Sequence, residues 1–204
     1  MKKVLLLTVA MLLIAGMAYG ATIVGTPHDL RGTSGGTTTE VCVFCHTPHG
    51  ASTALPVVMW NHASTAVANY TLYQSATLKG AIAQPAGVSK ACLSCHDGTV
   101  AINALQGGTL GTPTFISGAA LIGTNLQSHH PVSVTYRNDL NPDLKAPVSN
   151  GLPVGTTSLP LFGTTATLSV ECGSCHAVHD NTTAQPFLRA ANTNSQLCTG
   201  CHAK

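Results

Sequence analysis

Apolar residues along this chain form one long run followed only by short ones. Val4 to Ala15 is almost continuously apolar, and beyond it no stretch keeps a 3.6-residue period for three turns. Two short segments alternate instead, Val132-Ser133-Val134-Thr135-Tyr136 and Thr165 to Val170, and each predicts a short strand. Ala21 to Val24 predicts a third, followed by a turn at Pro27-His28-Asp29-Leu30 and a flexible Gly/Thr/Ser stretch over 32–39. Residues 51–90 are rich in Ala, Thr and Ser, with Trp60, Tyr70 and Tyr73 as aromatic anchors. The interval 97–171 is punctuated by Gly107-Gly108, Gly111, Pro113, Gly118, Gly123, Pro131, Pro142, Pro147, Pro153 and Pro160, and reads as mostly loop. So little regular structure counts against an ordinary folded domain. Something other than backbone ladders must hold this chain.

The apolar run belongs to a targeting segment. Lys2 and Lys3 precede it, and Ala18-Tyr19-Gly20 forms a small-x-small cleavage site before Ala21. Residues 1–20 are therefore expected to be a secretory signal peptide and residues 21–204 a single domain. The run is too short to span a bilayer, no later segment supplies about 20 apolar residues, and no cysteine stands at the cleavage point. The expectation is an exported protein with no stable membrane insertion.

Charge narrows the class by its scarcity. Charged residues make up 8% of the chain, against about 25% in ordinary soluble domains. With Lys2 and Lys3 removed, basic and acidic residues balance, so there is no basic patch for nucleic acid or an anionic membrane. A surface this poor in charge is expected to be covered in part, by another copy or another molecule.

The cysteines supply the chemistry. Cys42-Val43-Phe44-Cys45-His46 recurs as Cys92-Leu93-Ser94-Cys95-His96, Cys172-Gly173-Ser174-Cys175-His176 and Cys198-Thr199-Gly200-Cys201-His202, and these four motifs use all 8 cysteines. Two thiols three apart with an imidazole directly after the second suit covalent attachment of a c-type haem: the thiols add to the two vinyl groups and the histidine ligates iron. With about one residue in twenty a histidine, four trailing histidines arise by chance roughly once in 10^5. Zinc would use the CxxC pairs but leaves the histidines unexplained, and four disulfides explain them no better. The chain reads as a tetrahaem cytochrome c. Four covalently bound haem c groups would supply the missing apolar bulk, with single helical turns at the motifs and the rest of the chain wrapped around them. Their propionates would make the loaded protein net negative.

An internal repeat accompanies the motifs. Glu40-Val41-Cys42-x-x-Cys45-His46-x-x-His49 parallels Val170-Glu171-Cys172-x-x-Cys175-His176-x-x-His179, and each is followed by a motif without that second histidine. The chain thus reads as a duplicated two-haem unit.

Every iron needs a sixth ligand or an open position, and that choice separates carriers from enzymes. His46, His96, His176 and His202 are the proximal set. Beyond the signal, Met59 is the sole methionine, while six further histidines remain: His28, His49, His62, His129, His130 and His179. This surplus favours bis-histidine ligation throughout. Pro131 holds His130 extended, so only one of His129 and His130 is expected to reach an iron. His49 and His179 lie too close in sequence to their own motif histidines to circle that porphyrin, and are expected to ligate a different haem.

Pro27-His28-Asp29-Leu30, Cys42 to Gly50, Trp60-Asn61, Cys92 to Val100, His130-Pro131-Val132 and Cys172 to His179 together resemble the doubled-CxxCH multihaem cytochromes. Among these the chain is most similar to the OmcE-type tetrahaem proteins that polymerise into extracellular filaments, or nanowires. The resemblance implies a loop-rich fold with short helices and few short strands around a stacked haem chain. It implies His28, His49, His130 and His179 as distal ligands, with His62 and His129 as reserve candidates. It also implies that His49 crosses to a haem of the adjacent subunit.

The expected function is extracellular electron transfer by a head-to-tail homopolymer, with other redox proteins or extracellular acceptors as further partners. A monomeric periplasmic shuttle is the alternative. A multihaem enzyme would need an iron without a distal ligand, which the histidine surplus disfavours.

Overall fold

A computed structural model describes residues 23–32, 38–180 and 187–203; the expected signal peptide and most of the Gly/Thr/Ser stretch lie outside the described residues. Among these residues there are three α-helices: α1 (Gly87–His96), α2 (Cys172–Cys175) and α3 (Gln196–Cys201). Three two-stranded antiparallel ladders accompany them: β1 (Ala104–Leu105) with β2 (Gly108–Thr109), β3 (Val134–Thr135) with β6 (Ser169–Val170), and β4 (Gly151–Val154) with β5 (Thr157–Pro160). All three helices end at or just before a motif histidine. The remaining chain is turns, bends and isolated bridges.

The two alternating segments pair with each other. Val134 stands opposite Val170, and Thr135 opposite Ser169, so the strand entering the third motif is tied to the chain after the second. The expected strand at Ala21–Val24 is not formed over its described part: Ile23 and Val24 open a turn in which the Thr26 N–H donates to the Ile23 carbonyl, 3.0 Å. The reading of 97–171 as mostly loop misses the β4–β5 hairpin. Pro153 and Pro160 argue against strands in a sheet interior, but both strands of a two-stranded ladder are edges. The turn between Val154 and Thr157 opens with Gly155 at φ 56°, the positive φ that two-residue hairpins require.

Apolar packing is divided among the motifs. The largest cluster joins Val134, Tyr136, Leu152, Val154, Leu159, Leu161, Leu168, Val170 and Ala190, with Leu197 and Cys201 against it. A second joins Leu55, Trp60 and Ala91, with Cys45 alongside, and a third joins Tyr70, Leu93 and Leu126. Each cluster therefore sits against a cysteine motif or the helix that carries one.

The glycines inside the last two motifs are close-approach positions. A Cβ on Gly173 would stand 2.9 Å from the Phe162 ring and 3.0 Å from Val88, and one on Gly200 would collide with Val154 and Leu159 of the hairpin. Gly200→Ala should cost about 1–3 kcal/mol by overpacking. Guanidinium unfolding of the loaded protein should show a lower midpoint, whereas Thr199→Ala, at a half-buried neighbour where a side chain is shortened rather than added, should lower it much less.

Candidate haem-binding site

Each motif is built as one turn of helix. The His46 N–H donates to the Cys42 carbonyl (2.8 Å), that of His176 to Cys172 (3.0 Å) and that of His202 to Cys198 (2.9 Å), while the second motif closes α1. In a helix, positions i, i+3 and i+4 share a face, so two thiols and an imidazole converge. None of the eight cysteines is joined in a disulfide. Among the described residues no group of three His, Cys, Asp or Glu side chains is gathered closely enough to hold a metal ion.

The motifs adjoin one another in chain order. Burial and the neighbouring Cys42 push the Cys45 thiol up to about 11. Burial pushes Cys95 up to about 12, with Cys45 and Asp97 adding to it. Cys92 donates to Cys172, which raises the first and lowers the second, while the charge of Glu171 works against the lowering. Burial, then Cys172 and Cys198, raises Cys175; burial, then Cys175, pushes Cys201 up to about 11. Neighbouring motifs are thus close enough for their thiols to act on one another, first on second, second on third and third on fourth.

The histidines meet in twos. His28 reaches from the N-terminal turn to lie 6.1 Å from His96, centroid to centroid, and His179 lies 5.9 Å from His46. Two metal–imidazole bonds of about 2 Å, plus roughly 1 Å from each nitrogen to its ring centre, set the rings of a bis-imidazole pair about 6 Å apart. Both observed pairs have that spacing. In each, the second histidine comes from a different motif or from the arm, never from the same helical turn. Burial holds His28 down at about 4, with His96, His176 and His179 adding to the effect, and its ring stacks on Phe187 at 4.8 Å.

Hydrogen bonds fix the tautomers. Nδ1 of His46 meets the Val58 carbonyl and Nδ1 of His96 the Ala120 carbonyl, both at 2.8 Å; Nδ1 of His130 meets the Pro131 carbonyl at 3.0 Å. A neutral ring donating from Nδ1 keeps its lone pair on Nε2, the arrangement in which an outer carbonyl orients a metal-binding histidine. The buried Trp60 indole N–H and Ser64 hydroxyl, between the first two motifs, have no partner among the described residues, and a haem propionate could accept from either. Residues and spacing fit covalently bound haem.

The other candidates are distributed differently. His49 is exposed, and among the described residues nothing engages its ring; its backbone N–H meets the Thr47 hydroxyl. His129 is exposed as well. His62 is 1% exposed, with Nδ1 2.7 Å from the Ala63 carbonyl and Nε2 3.0 Å from that of Ala101. The Met59 side chain is half-exposed, and its carbonyl accepts from the Thr47 N–H.

Two buried carboxylates beside the motifs carry no expectation from sequence. Asp97, directly after His96, accepts from the Tyr70 hydroxyl (2.7 Å) and from the Thr99 N–H and hydroxyl (2.8 Å each). Its signal was an Asp-Gly-Thr turn following the motif, as Asx turns favour. Glu171, directly before Cys172, accepts from Ser169 two residues earlier and from Ser89 and Ser133, both distant in sequence, which no local pattern announces.

The family described as Doubled CXXCH motif matches residues 166–204, from β6 through the last two motifs. No curated protein matches the chain. The match supports a multihaem c-type cytochrome, with haem c as cofactor and electron transfer as the class of function. It covers the pair of motifs with the short interval. No described helix is long and apolar enough to cross a membrane.

Asp97 gives a pH-dependent prediction. Burial raises its carboxyl, but hydrogen bonds from Thr65, Tyr70 and Thr99 outweigh this and the net shift is downward. A depressed folded-state pKa stabilises the fold above the ordinary carboxylate range, and the contribution is lost as pH falls through the folded value. Tyr70→Phe removes one hydrogen bond to a charged group and should cost about 1.5–3 kcal/mol at neutral pH. Denaturant midpoints should show that deficit shrinking as pH is lowered into the acid range.

Proposed function

We propose that this chain is the subunit of an extracellular cytochrome filament that conducts electrons through four bis-histidine haems. Bound haem supplies the one-electron Fe(III)/Fe(II) couple; the polypeptide holds it, orients it and excludes water. The eight cysteines anchor four porphyrins, and His46, His96, His176 and His202 are the proximal ligands. His28 completes the iron of the second motif and His179 that of the first. His130 and the His49 of an adjacent copy complete the other two.

What supports this reading is the contrast between histidines that stand opposite a motif histidine, at 6.1 and 5.9 Å, and His49, which is exposed with its ring unengaged among the described residues. Apolar exposure adds to it. Val58 is 73% and Met59 49% exposed, and Val58 meets the ring of His46 through its carbonyl. Phe115, Leu140 and Val148 are more than half exposed too. A head-to-tail contact that does not close grows a filament, and an apolar, weakly charged surface suits burial in one. Saturated irons favour electron transfer over catalysis.

Mass spectrometry of the secreted protein should show a start at Ala21 and four haem additions. Electron micrographs of it should show filaments. His49→Ala should still mature with four haems but fail to elongate, and one haem per subunit should become high-spin in its absorption spectrum. His129→Ala should do neither. Normal filaments from His49→Ala would overturn the cross-subunit ligand. Wild-type protein that stays monomeric at high concentration with four low-spin haems would instead be a periplasmic shuttle.

A further inference from the structure

Glu171 is a buried carboxylate that the proposed haem ligation does not use. It is 9% exposed and stands directly before Cys172. Ser89 donates to its Oε2 at 2.5 Å, Ser133 to the same oxygen at 2.9 Å, and Ser169 to Oε1 at 2.8 Å. The backbone N–H of Ser174 also donates to its side chain, while the Ser174 hydroxyl accepts from the Glu171 N–H at 3.0 Å. An ionised carboxylate offers about four acceptor sites and no donor. Four donors converge on this one and fill its acceptor sites.

The site is built from four separate elements. Ser89 lies on α1 one turn before Cys92, Ser133 directly precedes β3, Ser169 lies on β6, and Ser174 sits inside the third motif. Ser133 adopts φ 52°, an unfavourable value for a residue other than glycine, and its hydroxyl reaches the carboxylate from there. Ser89 also accepts from the Cys172 N–H at 3.0 Å. Among the described residues no cation pairs with the carboxylate. The ion pairs among the described residues are Arg31–Asp29 and Arg137–Asp139, and the guanidinium packed on the third motif, Arg189, donates to the Gly173 carbonyl.

Tying serines together does not require an ion. A buried carboxylate without a counter-charge is a costly way to join segments that a neutral amide could join. Its position gives it another use, because it lies between the second and third motifs, whose first cysteines touch. A fixed negative charge there favours Fe(III) over Fe(II) at both adjoining haems. We infer that Glu171 is a potential-setting residue, holding the haems of Cys92–His96 and Cys172–His176 at lower reduction potential than they would have beside a neutral group. This rests on the haem reading of the motifs. It makes the middle of the chain of motifs electronically distinct from its ends.

The test is a spectroelectrochemical titration of the haem-loaded protein, with haem content measured first by mass spectrometry. In Glu171→Gln, two of the four midpoint potentials should rise, by roughly a tenfold change in the Fe(III)/Fe(II) ratio at fixed potential, or about 59 mV. Glu171→Asp, which keeps the charge, should restore most of the shift. Ser133→Ala removes one dipole that offsets the charge and should move the same two potentials downward. A merely structural clasp would move Glu171→Gln and Ser133→Ala in the same direction, or move neither, and either outcome overturns the inference. If Glu171→Gln does not mature, opposite shifts in Ser133→Ala and in Ser133→Asp, which adds a second charge and should push further down than Ala, cannot arise from an electrostatic site, so their occurrence also overturns it. Fewer than four haems on the wild-type protein would instead refute the haem reading beneath it.

Discussion

Four helical turns carry this structure: three are defined by the backbone bond from a histidine N–H to the carbonyl of the first cysteine in the motif, and the second motif is the last turn of α1. That bond sets Cys, Cys and His on one face. A one-turn helix is not stable alone, since nucleation costs more than one hydrogen bond returns. The motifs are therefore held from outside, each by a different neighbour: Gly200 lets the fourth press on the β4–β5 hairpin, Gly173 lets the third meet Phe162 and Val88, and Trp60 packs beside Cys45 of the first. Thioether and iron–imidazole bonds would lock what this packing only positions. Divided apolar clusters follow, because each has a motif to support rather than a common centre to fill.

The same arrangement explains why so much of the site was legible in the sequence and so little of the fold. Motif chemistry depends on spacing within five residues, which a sequence displays directly. The β3–β6 ladder was half visible, since Val132–Tyr136 and Thr165–Val170 alternate; that they pair with each other is a matter of long-range closure. The hairpin over 151–160 was hidden by its prolines, whose meaning reverses when both strands are edges. Ile23 and Val24 have strand-forming side chains but lie in a turn that Asp29 and Thr26 stabilise through hydrogen bonds.

Histidine roles divide along the same line. A count of six spare imidazoles for four irons could not distinguish His62, enclosed by two backbone carbonyls, from His49, which is exposed. Three-dimensional proximity separates them. It also brings out Asp97 and Glu171, one after a motif histidine and one before a motif cysteine, both buried in a chain with few charges. In a chain where acidic groups are this scarce, both of these buried ones stand beside cysteine motifs.

The central claim is that paired imidazoles, rather than open positions, complete the irons of this chain. Low-temperature electron paramagnetic resonance of the fully oxidised wild-type protein tests it directly. The account predicts only low-spin signals of bis-imidazole iron, integrating to all the haem present. A stoichiometric high-spin signal that disappears on adding cyanide or nitrite would show an open coordination site and contradict it.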